Sequence, residues 1–208
     1  MRTAVTAALF CLLALLPASA FAGDTVVDRW EQAVPPAPPK IKPVAVNAAD
    51  TALLVLDIEE RTCNAERRPR CLDTVPRIAA LLKRAREHGM PVIYSQISSP
   101  TPILDPVRPH PGEPVVSSSV DKFYGTELEA ILTKAGAKTV IITGTAAHGA
   151  VLHTATGAAR RGLNVVIPAD CLSAASLYTE QAAVWCLVDG PGTRKRTTLT
   201  TSDLITIR

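Results

Sequence analysis

The feature that most constrains the fold is a set of four short, mainly apolar runs, each followed by sequence of a different periodicity. The runs lack the strict alternation of a half-buried strand, which is typical of strands buried on both faces. Such strands in alternation with helical segments predict right-handed βαβ units. We therefore expect a three-layer α/β/α fold with a mainly parallel central sheet, Rossmann-like in architecture. The runs are TALLVLD (51–57), PVIYSQI (91–97), KTVIIT (138–143) and LNVVIPA (163–169).

Helical segments separate and follow these runs. A first helix is expected to end at Gly89 and a second at Gly136, because glycine commonly ends helices. A third helix is expected over 148–161 and a fourth over 178–188, before a final strand at 196–205. The helical spacing rests on Val75, Ile78, Ala79, Leu82 and Ala85 in the first helix and on Leu128, Ile131, Leu132 and Ala135 in the second.

Size and charge exclude some classes of function. The chain has 208 residues with 47% hydrophobic content, enough for one core, so a single domain is favoured. Its formal net charge is +3, and the basic block RKR at 194–196 is short. Nucleic-acid binding needs a concentrated basic face, so it is not expected. The predicted partner is a small-molecule substrate, and the sequence leaves a homo-oligomer open.

The N-terminus predicts a secretory signal peptide over residues 1–22. Arg2 precedes the apolar run AVTAALFCLLALL, and the segment ends in the small-residue site AFA. The apolar run is too short for a membrane span, so no membrane association is expected after cleavage. A proline-rich leader is predicted at 23–48 and the folded domain at 49–208. The mature protein is expected to be periplasmic or secreted.

Four cysteines would remain after cleavage, in a compartment that permits disulfides. They allow three complete pairings, of which Cys63–Cys71 is favoured because these residues flank the polar, basic loop NAERRPR. Cys186 lies on a predicted apolar helix face, where a buried free thiol is the default. The sequence has no CxxC and no HExxH, so neither a metal nor another cofactor is expected.

Polar residues follow the predicted strands at their carboxyl ends, where open parallel sheets bind ligands. Asp57 ends the first run, Gln96 lies near the end of the second, GTAAHG (144–149) follows the third and Asp170 the fourth. A buried aspartate is costly unless it is paired, and Lys122, just before a helix, is the partner we predict. The alternative for Lys122 is a solvated lysine at a helix start.

Two further residues of this rim are candidates for substrate binding. Gln96 could hydrogen-bond a carboxylate or an amide of the substrate, or it could satisfy backbone groups. His148, at the turn that opens the third helix, could contact substrate, or it could cap or pack against the helix.

The segments around this rim resemble the isochorismatase-like superfamily of hydrolases. The similar stretches are ALLVLD, DKF with GTELEAIL, GAKTVIITGTAAHGAVLHTATGAARRGLNVVIPADCLSA and EQAAVWCL, over about residues 51–205. The superfamily includes isochorismatases and cysteine-dependent amidases, and the amidases use an aspartate, a lysine and a cysteine. The matching residues here are Asp57, Lys122 and Ala150, so the nucleophile position carries a methyl group.

The alanine changes which chemistry the resemblance implies. A methyl group cannot form an acyl-enzyme. Isochorismatases proper also lack the cysteine, and they protonate a vinyl ether with the aspartate before water attacks. The resemblance further implies a non-proline cis peptide at Thr145–Ala146, in a turn that would bind substrate. The metal-binding Asp and His set of nicotinamidases is not evident, since Asp105 and His110 have the wrong spacing.

Two hypotheses of different classes follow. The first is a hydrolase of a small polar molecule that forms no covalent intermediate, in which Asp57 moves the proton. Lys122 is expected to lower the pKa of Asp57, which favours a base, unless burial or an anionic substrate offsets that effect. Cys171 is the thiol that could otherwise replace the nucleophile. The second hypothesis is a pseudoenzyme that binds a small molecule on the same fold.

Overall fold

The computed structural model describes residues 24–208, so the predicted signal peptide lies outside the described residues. The chain divides into two compact units after Ala37. In the first unit, residues 24–37 are exposed and include a short 3-10 turn at Trp30–Gln32. No helix of the described part of the chain has the length and apolarity needed to cross a bilayer.

The second unit, Pro38–Arg208, contains the strands and α-helices. The strands are β1 (Val44–Val46), β2 (Thr51–Leu56), β3 (Val92–Gln96), β4 (Val115–Ser117), β5 (Thr139–Thr145), β6 (Asn164–Pro168), β7 (Leu172–Ser173), β8 (Thr197–Thr200) and β9 (Ile205–Ile207). The helices are α1 (Pro69–Glu87), α2 (Leu128–Lys134), α3 (Leu152–Arg160) and α4 (Leu177–Asp189).

The main sheet of the described residues has the strand order β4-β3-β2-β5-β6-β8, with β7 added beside β5. Every pairing in it is parallel. The predicted α/β fold with a mainly parallel central sheet is confirmed. Strand order reverses between β2 and β5, which is where ligands bind in sheets of this type.

Strand β2 shows why the first apolar run does not alternate. Ala52, Leu54 and Leu56 pack in the core that contains residues of α2, α3 and α4. Leu53 and Val55 pack on the opposite face of the sheet, in the core that contains α1. Because both faces of β2 are covered, every position of the strand is buried, and an apolar residue is favoured at each.

The structure extends the predicted organisation at both ends of the domain. β1 pairs in parallel with β9, so ordered structure begins before residue 49, where the sequence placed the start of the folded domain. Short strands such as these carry too few residues for a periodic signal. The same holds for β4, which lies inside the proline-rich connection and pairs with β3.

Of the predictions about the cysteines, the disulfide is confirmed and the burial of Cys186 is wrong. Cys63 and Cys71 form the disulfide favoured from the sequence. Cys186, predicted to be buried, is exposed. Helix α4 buries only Ala183 and Leu187 among its residues, so its contact with the core is a narrow stripe that does not reach Cys186.

Candidate active site

Asp57 lies at the point where β2 ends, and its backbone is held in an unusual conformation. Its φ of 54° is in the left-handed region, which a residue other than glycine rarely adopts. Its N–H donates to the Ser95 carbonyl at 3.0 Å, and its own carbonyl accepts from the Thr62 hydroxyl. These bonds turn the chain out of the sheet and aim the side chain at the carboxyl edge.

Lys122 pairs with Asp57 as predicted. Its Nζ lies 2.9 Å from Asp57 Oδ2, and its side chain is fully buried. The ammonium also donates to the carbonyls of Ser118 at 2.8 Å, Gln96 at 3.2 Å and Ser119 at 3.3 Å. A buried ammonium needs this full set of acceptors, because none of its three protons can reach water. The lysine is therefore a fixed part of the site.

The proton affinity of Asp57 is set by two opposing effects. Burial raises the pKa of the carboxyl, and the charge of Lys122 and the bond from Ser95 Oγ at 2.7 Å lower it without cancelling the rise. Lys122 lowers the pKa of Asp57, as predicted, but burial, the offset that the prediction left open, has the larger effect, so the net shift is upward. Burial was the offset that the sequence could not weigh, because it follows from how the surrounding loops close.

The turn after β5 forms the facing wall of the site. The Thr145–Ala146 peptide bond is cis, and a π-helical turn at Ala147–Val151 leads into α3. The Ala146 carbonyl accepts from Gly149 N–H at 2.9 Å and from Val151 N–H at 3.2 Å, which closes the turn. Gly144, at φ 119°, runs so close to β2 that a side chain there would collide with the Leu56 carbonyl.

A cavity of about 450 Å³ lies over Asp57 and this turn. Its size is within the range of small-ligand sites, which is about 300–1,000 Å³. Ala150, which occupies the position of the cysteine nucleophile in the similar amidases, lines this cavity. Thr145 and Ala146 line the cavity as well. The full lining is Asp57, Arg61, Thr62, Arg67, Arg68, Ile97, Ser98, Ser99, Ser119, Val120, Thr145, Ala146, Gly149 and Ala150.

Sequence reasoning missed the three arginines of this lining. They belong to the segment between β2 and α1, Arg67 and Arg68 inside the ring that the Cys63–Cys71 disulfide closes and Arg61 two residues before it. The signal was present, since the basic loop NAERRPR starts a few residues after Asp57.

Glu59 is a second residue that the sequence did not single out. Its fully buried carboxylate accepts from Ile97 N–H at 2.8 Å and from Thr101 N–H at 2.6 Å. It thereby holds the loop whose residues Ser98 and Ser99 form one side of the cavity.

Gln96 and His148, the two candidates for substrate binding at this rim, are not among the residues that line the cavity. The Gln96 amide donates to the Thr101 carbonyl at 2.6 Å, so it satisfies a loop backbone group, the alternative left open by the sequence. His148 is exposed, because it falls on the outer side of the π-helical turn.

Cys171 cannot replace the nucleophile where it lies. It is fully buried in the core that contains α1 and is not among the cavity residues. Burial and the nearby Asp170 raise the pKa of its thiol far above the ordinary value, which suppresses the thiolate. Asp170 itself accepts from the backbone and the hydroxyl of Ser202, so it anchors the C-terminal segment.

Residues 24–208 contain no group of three or more His, Cys, Asp or Glu placed to hold a metal ion. Asp105 pairs with Arg108 on the surface, and the His110 N–H donates to Glu113. Asp105 and His110 therefore both make contacts with other residues of the chain.

Comparison with known proteins supports the same family. The isochorismatase domain model matches residues 51–198. The secreted isochorismatase effector Isc1 of Verticillium dahliae is 25% identical over 64% of this chain and 77% of its own length. The uncharacterized isochorismatase family protein YecD of Escherichia coli is 29% identical over 63% and 84%.

A solved structure gives the same result. The N-carbamoylsarcosine amidase of Thermoplasma acidophilum is 25% identical and superposes with a TM-score of 0.64, over 74% of this chain and 97% of that one. The domain match covers more than half of the chain, and the fold agrees with it. The chain belongs to the isochorismatase family.

Proposed function

We propose that the protein is a hydrolase of a small polar molecule in which Asp57 moves the proton and no covalent enzyme intermediate forms. The observation that carries this proposal is a buried ion pair, 2.9 Å between Lys122 Nζ and Asp57 Oδ2, beneath a cavity that Ala150 also lines. The fold and the hydrolases among the relatives support the reaction class.

The proposed reaction uses water as the nucleophile. The alanine methyl leaves room for a water molecule between the turn and the aspartate. The water oxygen bonds to the electrophilic carbon of the substrate while Asp57 accepts the water proton. The bond to the leaving nitrogen or oxygen then breaks, and Asp57 returns the proton to that atom. A carboxyl whose pKa is raised holds the proton well between these two steps.

The turn after β5 supplies the electrostatic part of the proposal. Thr145, Ala146 and Ala150 border the cavity, so backbone N–H groups of this turn are suited to donate to the oxygen that gains charge. Lys122 acts on the carboxylate rather than on the substrate, because it is fully buried and surrounded by acceptors. Its role is to fix the direction of the Asp57 carboxylate.

The protein is proposed to act in the periplasm or outside the cell. The signal-peptide pattern of residues 1–22 supports export, and so does the Cys63–Cys71 disulfide, since such bonds persist in oxidising compartments. One relative carries the word "secreted" in its name.

The second candidate function is a non-catalytic binding protein on this fold. Ala150 favours it, because the position that carries the nucleophile in cysteine-dependent relatives has no reactive group. In that case the cavity would hold a ligand without turning it over.

A turnover assay beside a thermal-shift assay separates the two candidates. The probes are 4-nitrophenyl esters and 4-nitroanilides, each in a neutral and a carboxylate-bearing form. For the enzyme, we expect multiple turnovers that fall sharply in Asp57→Asn and persist in Asp73→Asn, a control at an exposed carboxylate of α1. Ligand stabilisation with no product from any probe would establish the binding protein instead.

A further inference from the structure

We propose that the disulfide-closed segment Cys63–Cys71, together with Arg61, is an anion-recognition element. The group recognised is an oxyanion of the ligand, a carboxylate or a phosphate, held by Arg61, Arg67 and Arg68 at the mouth of the cavity. This inference rests on the proposed function in one respect, namely that the ligand occupies the cavity above Asp57.

The guanidinium groups of these arginines make few hydrogen bonds within the protein. Arg68 donates to the Thr62 carbonyl at 3.1 Å. Arg67 donates to the Arg61 carbonyl at 3.4 Å, and Arg61 to the Ser99 carbonyl at 3.5 Å. Each guanidinium has five N–H donors, and these are single contacts of moderate to long distance. Most donors are therefore left for a ligand or water.

Several arginines elsewhere in the described residues are paired with carboxylates. Arg70 binds Glu180, Arg86 binds Glu113 and Arg161 binds Glu129, each at 2.7 Å. Within residues 24–208, no carboxylate lies at salt-bridge distance from Arg61, Arg67 or Arg68. Arg61, Arg67 and Arg68 thus lie together in the lining of the cavity without a carboxylate partner.

The charge of the cavity lining is unbalanced in the same direction. Three arginines line it against one carboxylate, Asp57, which is already paired with Lys122 behind it. The acids of the same segment, Glu60 and Glu66, are exposed and are not among the lining residues. A ligand that brings negative charge would neutralise this excess, and a neutral ligand would leave it.

The effect that a bound anion would have on desolvation and charge repulsion is clearest at Arg68. It is half-buried, and burial followed by the charge of Arg67 lowers the pKa of its guanidinium. The cation is therefore less favourable there than in water. An oxyanion between Arg67 and Arg68 would offset both the desolvation and the repulsion, and guanidinium groups match carboxylate and phosphate oxygens in bidentate geometry.

The disulfide fixes where the arginines point. Both sulfur-bearing residues are buried, Cys63 at 1% exposure and Cys71 at the start of α1 at 0%. Inside the ring, Asn64 Oδ1 accepts from the N–H groups of Glu66 at 3.1 Å and Arg67 at 2.8 Å. The ring is therefore an ordered turn anchored in the core, which limits the entropy lost when a ligand binds.

Calorimetric titration tests the proposal without any need for turnover. The probes are succinate, inorganic phosphate and the neutral analogue succinamide, added to the full-length mature protein with its disulfide intact. We expect succinate, phosphate or both to bind, more weakly at higher salt, and succinamide not to bind. Arg67→Gln and Arg68→Gln should each weaken binding about tenfold or more. Arg194→Gln, at an exposed arginine outside the cavity lining, should leave binding unchanged.

The arms of this titration identify the source of the anion and can overturn the proposal. Preference for succinate assigns a carboxylate, and preference for phosphate assigns a phosphate or sulfate group. Binding of succinamide as tight as that of succinate, absence of binding by both anions, or equal weakening in Arg194→Gln would each refute the element. Anion binding without turnover would remove the proposed hydrolysis and leave this inference standing, whereas turnover unaffected by the arginine variants would do the reverse.

Discussion

The floor and the mouth of the cavity both carry charge, but they hold it in opposite ways. At the floor, Asp57 and Lys122 are buried at 3% and 0% exposure, and each is hydrogen-bonded to its surroundings. At the mouth, Arg61 and Arg67 are exposed and lack a carboxylate partner among the described residues. Buried charge is expensive to leave unpaired, and exposed charge is not. Changes at the floor should therefore damage folding and chemistry together, and changes to the arginines at the mouth should alter ligand affinity with little effect on folding.

The largest effect is expected when the floor loses one partner. Lys122→Met leaves Asp57 without its counter-ion and leaves the Ser118 and Gln96 carbonyls without a donor. We expect a loss of about 3–5 kcal/mol in the free energy of unfolding, measured by urea denaturation. Adding Asp57→Asn to this variant should recover part of the loss. A loss under about 1 kcal/mol would mean that the pair is not structurally coupled.

Removing the disulfide should be the next largest effect, and it should act mainly at the mouth. The double variant Cys63→Ser, Cys71→Ser opens a ring with a sequence separation of 8 residues, so the expected loss of stability is about 2 kcal/mol. Because the arginines are then no longer held, anion affinity should fall as well. Circular dichroism and titration with succinate would check both. Unchanged affinity in a folded double variant would show that the ring does not position the arginines.

Replacing Arg68 by lysine should sharpen the comparison, since it keeps the charge and removes the planar fork. For a carboxylate-bearing substrate we expect KM to rise about tenfold with kcat little changed, because the residue contacts only the recognition end of the ligand. Steady-state kinetics with matched neutral and anionic 4-nitroanilides provides the measurement. A fall in kcat with unchanged KM would mean that Arg68 acts in the chemical step. The residues at the mouth would then not differ in role from those at the floor.

The pH dependence of stability gives the smallest effect. Burial raises the pKa of folded Asp57 above its ordinary value of 3.8, so the folded state binds this proton more tightly than the unfolded state. The contribution of this group to stability is full below the unfolded pKa and is lost as pH rises through the folded pKa. The stability of the wild type relative to Asp57→Asn should thus decrease from about pH 4 upward, as urea denaturation would show. An increase would mean that Lys122 outweighs burial.

The sequence predicted the floor better than the mouth, and the reason is physical. Asp57 follows a strand whose apolar run predicts that the strand is buried. The parallel topology then places Asp57 at the carboxyl edge of the sheet. Lys122 was found because a buried carboxylate requires a partner. The parallel sheet and the α-helices follow from the same patterns, whereas β1, β4 and β9 are too short to show a period.

The mouth was missed because loop conformation has no comparable rule. Nothing in NAERRPR states that the ring folds back over Asp57 rather than out into solvent, and Gln96 gave no sign that the Thr101 carbonyl would occupy its amide. The net direction of the Asp57 pKa shift was left open for the same reason, since the burial of this residue depends on those loops. Asp57, directly after a buried strand, could be placed from the sequence, whereas the course of the NAERRPR loop needs the structure.

The central claim is that the floor performs hydrolysis without a thiol, and one comparison of rates tests it directly. The measurement is kcat/KM of a variant that lacks both free thiols, Cys171→Ala with Cys186→Ser, beside wild type and Asp57→Asn, with intact mass spectrometry of the protein quenched during turnover. We predict that the thiol-free variant stays within about twofold of wild type, that no adduct is trapped, and that Asp57→Asn loses about 10²- to 10⁴-fold. Loss of activity in the thiol-free variant with an acyl adduct in the wild type, or an active Asp57→Asn, would contradict the account.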